Sequence, residues 1–237
     1  EGAGIYGHFE HKTFALEPIA AMKANRDGNE LYDRSRTYYS GLRVYENNVR
    51  NLFYDAIFMK SSGSKWLLNG NEVDIRAYAF HGEAGYSPDA VLWKPQFGMA
   101  YSFAKGDNPS TSEDERFDGV FGASDRFYGR MNLMQWSNLK DKELFIVIKP
   151  DESLQIKGEY HRFYADEECD KWLSYKIASM TGDHYGDEID IVAAQKLNKS
   201  WELQYGAGCF MPGRYVSEAS TKVSDITDDK AWSAFFQ

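Results

Sequence analysis

Glu188-Ile189-Asp190-Ile191-Val192-Ala193-Ala194 is the stretch whose reading decides the fold. Ile189, Ile191 and Ala193 fall on one face and Glu188, Asp190 and Val192 on the other, the period of a strand and not of a helix. Just downstream, Trp201, Leu203, Tyr205, Ala207 and Cys209 alternate in the same way with Glu202, Gln204, Gly206 and Gly208. Working outward, similar runs occupy residues 4–12, 14–23, 38–46, 51–60, 72–86, 94–105, 141–149, 153–164 and 231–237. The reading is about eleven strands.

Connections between these runs alternate in length. Short turns are expected at Lys12-Thr13, Glu46-Asn47-Asn48, Ser87-Pro88-Asp89, Lys149-Pro150-Asp151-Glu152 and Leu197-Asn198-Lys199, with long segments at 25–37, 61–70, 106–140, 166–187 and 212–230. An antiparallel up-and-down transmembrane β-barrel has this pattern, tight turns at one membrane surface and long loops at the other. One face of the strands suits lipid: Phe97, Met99, Tyr101 and Phe103 stand against Gln96, Gly98, Ala100 and Ser102. A soluble β-sandwich alternates too, but its polar face should be dominated by Lys and Glu. One run is irregular, since Asp74, Arg76, Tyr78 and Phe80 share a face and Glu83 then falls on the apolar one; a bulge near His81-Gly82 would restore the pattern.

Composition sets limits. No apolar run approaches the roughly 20 residues of a transmembrane helix; Leu144 to Ile148 is among the longest. A mean hydropathy of -0.58 is compatible with a barrel, which needs apolar residues only at alternate positions. The net charge of -9 leaves no basic excess for phosphates, so nucleic acid is not an expected partner. Glu1 in place of Met suggests processing or truncation, and the aromatic end Ala231-Trp232-Ser233-Ala234-Phe235-Phe236-Gln237 resembles the terminal strand of outer-membrane barrels.

Four stretches carry a more specific likeness. They are Asp74-Ile75-Arg76-Ala77-Tyr78-Ala79-Phe80 with Glu83-Ala84-Gly85-Tyr86; Trp93-Lys94-Pro95-Gln96-Phe97-Gly98 with Tyr101, Ala104, Gly106 and Asp107; Phe127-Tyr128-Gly129-Arg130-Met131-Asn132-Leu133; and Gly186-Asp187-Glu188-Ile189-Asp190 continuing through Lys196-Leu197-Asn198 to Phe210-Met211-Pro212-Gly213. Over about residues 50 to 237 the chain resembles the alginate export porins of Gram-negative outer membranes. The resemblance implies one barrel domain over 1–237 that lacks N-terminal strands, the family barrel having about eighteen, an even number as such barrels require. It further implies location in the bacterial outer membrane, export or diffusion of an anionic polysaccharide or related solute, contact with lipid, possible periplasmic export machinery as partner, no enzyme activity, and a lumen presenting cations.

By alternation Arg43, Arg76 and Lys157 fall on the polar face and are candidates for the substrate path, since arginine grips carboxylates bidentately. Glu10, Glu17, Asp55, Asp74, Glu159, Glu188, Asp190 and Glu202 share that face, so pairing across the wall is an equal reading; Asp74, Glu188, Asp190 and Glu202 are retained as lumen candidates. Paired acids such as Glu188/Asp190 could suggest glycoside hydrolysis, yet neighbouring acids on strands are ordinarily just solvated. His8, His11, His81, His161 and His184 show no i, i+4 pairing, and neither metal nor cofactor is expected. The acidic run 107–115 reads as a surface loop before a calcium site. Cys169 and Cys209 are a possible disulfide in an oxidising compartment. The alternative function is a soluble β-rich carbohydrate-binding or adhesion module.

Overall fold

The computed structural model describes residues 1–26, 32–46, 51–88, 91–119, 128–172, 181–223 and 226–237. The strands, in chain order, are β1 (Gly2–Tyr6), β2 (Phe9–Glu10), β3 (Phe14–Asn25), β4 (Tyr32–Glu46), β5 (Leu52–Leu67), β6 (Glu72–Tyr86), β7 (Gln96–Ala104), β8 (Leu139–Ile148), β9 (Leu154–Tyr164), β10 (His184–Lys196), β11 (Glu202–Pro212) and β12 (Ala231–Phe236), with a short helix α1 (Arg214–Ser220) before the last. β1 and β2 pair with opposite ends of β3. From β3 onward each strand pairs antiparallel with its successor, giving one sheet in the up-and-down order that the alternation implied. β1 and β12 are its edges and do not pair with each other.

Registers align side chains into rows that cross the sheet. Tyr54, Ala84, Met99, Leu144, Tyr160, Ile189, Cys209 and Trp232 are successive partners from β5 to β12. One residue along, Asp55, Glu83, Ala100, Glu143, His161, Glu188 and Phe210 form the neighbouring row, on the opposite face because strand side chains alternate. Solvent access runs opposite to polarity. Met99, Leu144 and Ile191 are 62%, 57% and 59% exposed, whereas Glu188 and Asp190 are 0% exposed. A water-soluble sheet would hide the first set and wet the second; a sheet whose outer side meets hydrocarbon does the reverse.

Aromatic residues add a band on that outer face. Phe58, Tyr78, Phe103 and Phe80 lie in a chain of stacked rings 5.4–6.3 Å apart near the end that bears the long segments. Exposed Trp93 and Trp201 mark the end that bears the short turns. Two such belts are the anchors of barrels at the membrane interfaces. Short turns close on local side-chain acceptors: Asp151 Oδ1 receives the Ser153 and Leu154 N–H groups at 2.7 and 3.0 Å, and Asn198 Oδ1 those of Ser200 and Trp201 at 2.9 and 3.1 Å. These are the Asx turns that Asp and Asn favour.

Three sequence expectations need correction. Segments 25–37 and 61–70 are largely strand: β4, β5 and β6 have 15, 16 and 15 residues, beyond the roughly 9–11 that cross hydrocarbon. They extend past the membrane, where neither face needs apolar residues, and so their alternation was hidden. The supposed turn at 87–89 is a longer connection, because β7 begins only at Gln96. Pairing through His81-Gly82 is continuous on both sides of β6, with no bulge; Ile75, Ala77 and Ala79 share the face of Glu83 and are buried. The turn centres 47–50 and 89–90, Phe127, and parts of the long segments at 27–31, 120–127, 173–180 and 224–225 lie outside the described residues.

Candidate functional site: a polar inner wall and an inward segment

The face opposite the apolar belt, here the inner wall, carries the segment between β7 and β8. Where β7 stops short of the upper half of β6, this segment supplies the missing partner: Asp114 donates its N–H to Asp74 O at 2.7 Å and accepts from Arg76 N at 2.9 Å. Phe117 then packs edge-on to Tyr39 and Trp136. Trp136 Nε1 donates to Phe103 O, Trp172 Nε1 to Leu133 O, and Tyr39 Oη to Asp118 O, at 2.8–3.1 Å. Tyr215 and Val216 of α1 complete an apolar cluster with Tyr185 and Phe163. Burial pushes the Tyr215 phenol up to about 12, so it remains a neutral donor, bonded to Asp170 O at 3.1 Å. Thus the apolar core sits under the inward segments at the long-loop end, and none of it is formed by the exposed outer row.

Below this cap the wall is charged. Arg43 is held by Asp55, through Nε at 2.8 Å and through Nη2, and by Glu17 at 3.2 Å. Lys157 reaches Glu159 at 2.5 Å and Glu143 at 3.4 Å, and lies 4.7 Å over the Phe145 ring. Phe145 and Phe53 lean toward each other across Gly98 and Gly85, whose missing side chains leave the room, until the ring centroids are 6.0 Å apart. On β10 the carboxylates of Glu188 and Asp190 receive the backbone N–H groups of Met131 and Arg130 at 2.9 and 3.2 Å, while Arg130 Nε donates to Glu159 at 2.8 Å. Gly129 makes this approach possible: its φ is +79°, and a Cβ there would meet the Glu188 carboxylate. Glu188 Oε2 and Asp190 Oδ1 are buried and find no hydrogen-bond partner among the described residues.

Of the residues singled out from sequence, Arg43, Lys157, Glu188 and Asp190 therefore all belong to the inner wall; Arg130 links Glu159, the partner of Lys157, to Asp190, while Arg43 stands apart on β4 with Asp55 and Glu17. Glu202 shares that face but stands exposed at the short-turn end, four residues before Gly206 on β11. Asp74 and Arg76 do not join them. They share the outer face with Tyr78 above the lipid belt, and Arg76 pairs with Glu113 at 2.9 Å with its side chain 64% exposed. Polarity misled there because β6 extends beyond the membrane, where outward charges are solvated. Cys169 and Cys209 are both free; Cys209 lies on the outer face between Ile189 and Trp232, while Cys169 adjoins Asp170 in the cap. In the acidic run, Asp107 and Asp114 spend their carboxylates on Glu115 N, Lys65 and Arg116 N.

Sequence reading missed Arg130, whose segment has no periodicity, and the group Asp141, Glu143 and His161. For the latter a signal existed: the alternate acids Asp141 and Glu143 of β8 beside Lys157-x-Glu159-x-His161 on β9.

No helix among the described residues is long and apolar enough to cross a membrane, which leaves strands free to do so. No curated protein matches the chain. A family model described as "Alginate export" matches residues 20–227, from within β3 to just before β12, and so takes in the inward segment and the charged wall of β8 to β10. The chain belongs to the alginate export family, whose members are outer-membrane polysaccharide transport channels and not enzymes.

Proposed function

We propose that this chain lines a water-filled pore through which an anionic, alginate-like polysaccharide or a related solute passes passively across the outer membrane. The observation that carries this reading is the pair of adjacent rows, apolar outside and charged inside, kept in register over seven strands. The family match supports the cargo class. Arg43, Arg130 and Lys157 supply cations on the inner wall, and a guanidinium binds a carboxylate through two parallel N–H bonds. Closure of the sheet into a pore belongs to the same proposal, with further strands ahead of β1 bridging to β12, in an even-numbered barrel such as the resemblance implies.

A second reading is favoured by one observation: each of those three cations already pairs with a wall carboxylate. Glu83, partly exposed on the same wall, adds a further carboxylate, and such a wall suits a neutral saccharide. Conductance of the full-length protein in planar bilayers separates the two. Polyuronate oligomers block the current at lower concentration than neutral dextrins of equal length in the first reading; equal block, or block by dextrins alone, selects the second. Absence of any conductance rejects both.

A further inference from the structure

His161, Glu143 and Glu159 converge on one point of the inner wall. His161 and Glu143 are register partners on β9 and β8, and Glu159 precedes His161 by two residues, on the same face. One potential ligand atom from each lies within 4.8 Å of the others, and all three residues are buried. Donors about 2.0–2.2 Å from a tetrahedral metal ion stand roughly 3–4 Å apart, so a modest adjustment would close this group around a single ion.

A second observation is independent of the acids. His161 is 1% exposed, and its Nδ1 faces both oxygens of Asp141 at 3.2 and 3.1 Å. In its neutral form, a ring that donates its Nδ1 hydrogen to a carboxylate keeps a lone pair on Nε2, the form a metal ion would select by displacing the proton. That Nε2 is buried and finds no hydrogen-bond partner among the described residues. Burying a polar atom without a partner is costly, and a carboxylate behind an imidazole is the arrangement that orients histidine for metal ligation.

We infer that Glu143, Glu159 and His161 Nε2 form a site for a divalent transition-metal cation, Zn²⁺ or one of similar size and softness, with Asp141 as the positioning residue. One nitrogen and few carboxylates disfavour Ca²⁺ and Mg²⁺, which take more numerous oxygen ligands or keep most of their water. Lys157 is the built-in competitor for Glu143 and for one oxygen of Glu159, whose other oxygen is held by Arg130. Its ammonium lies between Glu159 and Glu143 and neutralises them. With its side chain 25% exposed, it has open space to turn into when an ion enters. Sequence spacing concealed the site because ligands on a sheet come from i, i+2 positions and from the neighbouring strand, not from i, i+4.

The test is titration of Zn²⁺ into the purified full chain in detergent, followed by calorimetry, with Co²⁺ absorption as a reporter of nitrogen and oxygen ligation. Far-UV circular dichroism confirms that each variant is folded. The expected result is one saturable site, lost in His161→Gln and weakened about 10-fold or more in Asp141→Asn, as for other partners behind a metal-bound histidine. Lys157→Met binds more tightly than the wild type, a gain that a merely bracing role for these residues does not produce. Binding that persists unchanged in His161→Gln, or no binding by either the wild type or Lys157→Met, overturns the site; should His161→Gln not fold, Asp141→Asn and Lys157→Met decide.

Discussion

Met131 donates its backbone N–H to Glu188 Oε1 over 2.9 Å, tying the segment between β7 and β8 to a strand 57 residues further along the chain. The tie depends on Gly129, which combines a φ of +79° with contact against the Glu188 carboxylate. Gly129→Ala forces a left-handed conformation on an L side chain, at about 1–2 kcal/mol, and adds a clash. The inward segment should detach, and single-channel conductance should rise above the wild-type value. Conductance equal to wild type would mean that the segment does not narrow the path.

Arg116 and Asp170 hold the cap together. Asp170 is 3% exposed and accepts from Arg116 and from the Asp107 N–H. Arg116→Ala leaves a buried carboxylate without its counter-charge, a loss of about 3–5 kcal/mol where such pairs are broken. Amide hydrogen exchange should accelerate at 165–172 and in α1, with β8 to β10 protected as before. Uniform exchange across both regions would show that cap and wall unfold together.

How legible this was in the sequence depends on where polarity carries information. Within the membrane, alternation identified the faces of β7, β10 and β11, since lipid admits only apolar residues on one side. Glu188 and Asp190 could be placed from it directly. Beyond the membrane the same rule fails, and Arg76 and Asp74 were read onto the wrong face because water accepts charge on either side of a sheet. Arg130 could not be found, since its place depends on a segment folding back over the wall. The disulfide failed for a related reason: proximity along the meander does not tell which side of the sheet a cysteine occupies.

Glu218 offers a pH test outside the membrane. Hydrogen bonds from the Thr181 hydroxyl, Arg214 and the Thr181 N–H hold its carboxyl at about 2. Because this value lies below the ordinary glutamate value of about 4.3, the clasp between Thr181 and α1 contributes fully above that value and is lost as pH falls toward 2. Protection of the Thr181 amide, corrected for intrinsic exchange, should decline between about pH 4 and 2, and Glu218→Gln should remove that pH dependence. A decline centred near pH 6 would assign the clasp to another group.

Leu144 and Glu83 occupy opposite faces of adjoining rows. Leu144→Arg places a cation in the apolar belt, which costs about 2–4 kcal/mol at the bilayer midplane, whereas Glu83→Arg faces water inside. Reversible unfolding in lipid vesicles should show the first variant destabilised by that amount and the second by less than about 1 kcal/mol. Equal losses would argue that the two faces have similar surroundings.

The most direct measurement is the accessibility of spin labels placed one at a time at Met99, Leu144 and Ile191, and at Glu83 and Gln204, in protein reconstituted into vesicles after Cys169 and Cys209 are replaced by serine. Labels at the first three positions should relax with oxygen, which partitions into lipid, and resist a water-soluble nickel chelate; labels at the last two should show the opposite preference. Nickel access at Met99, Leu144 and Ile191 would contradict the account, because the apolar row would then face water.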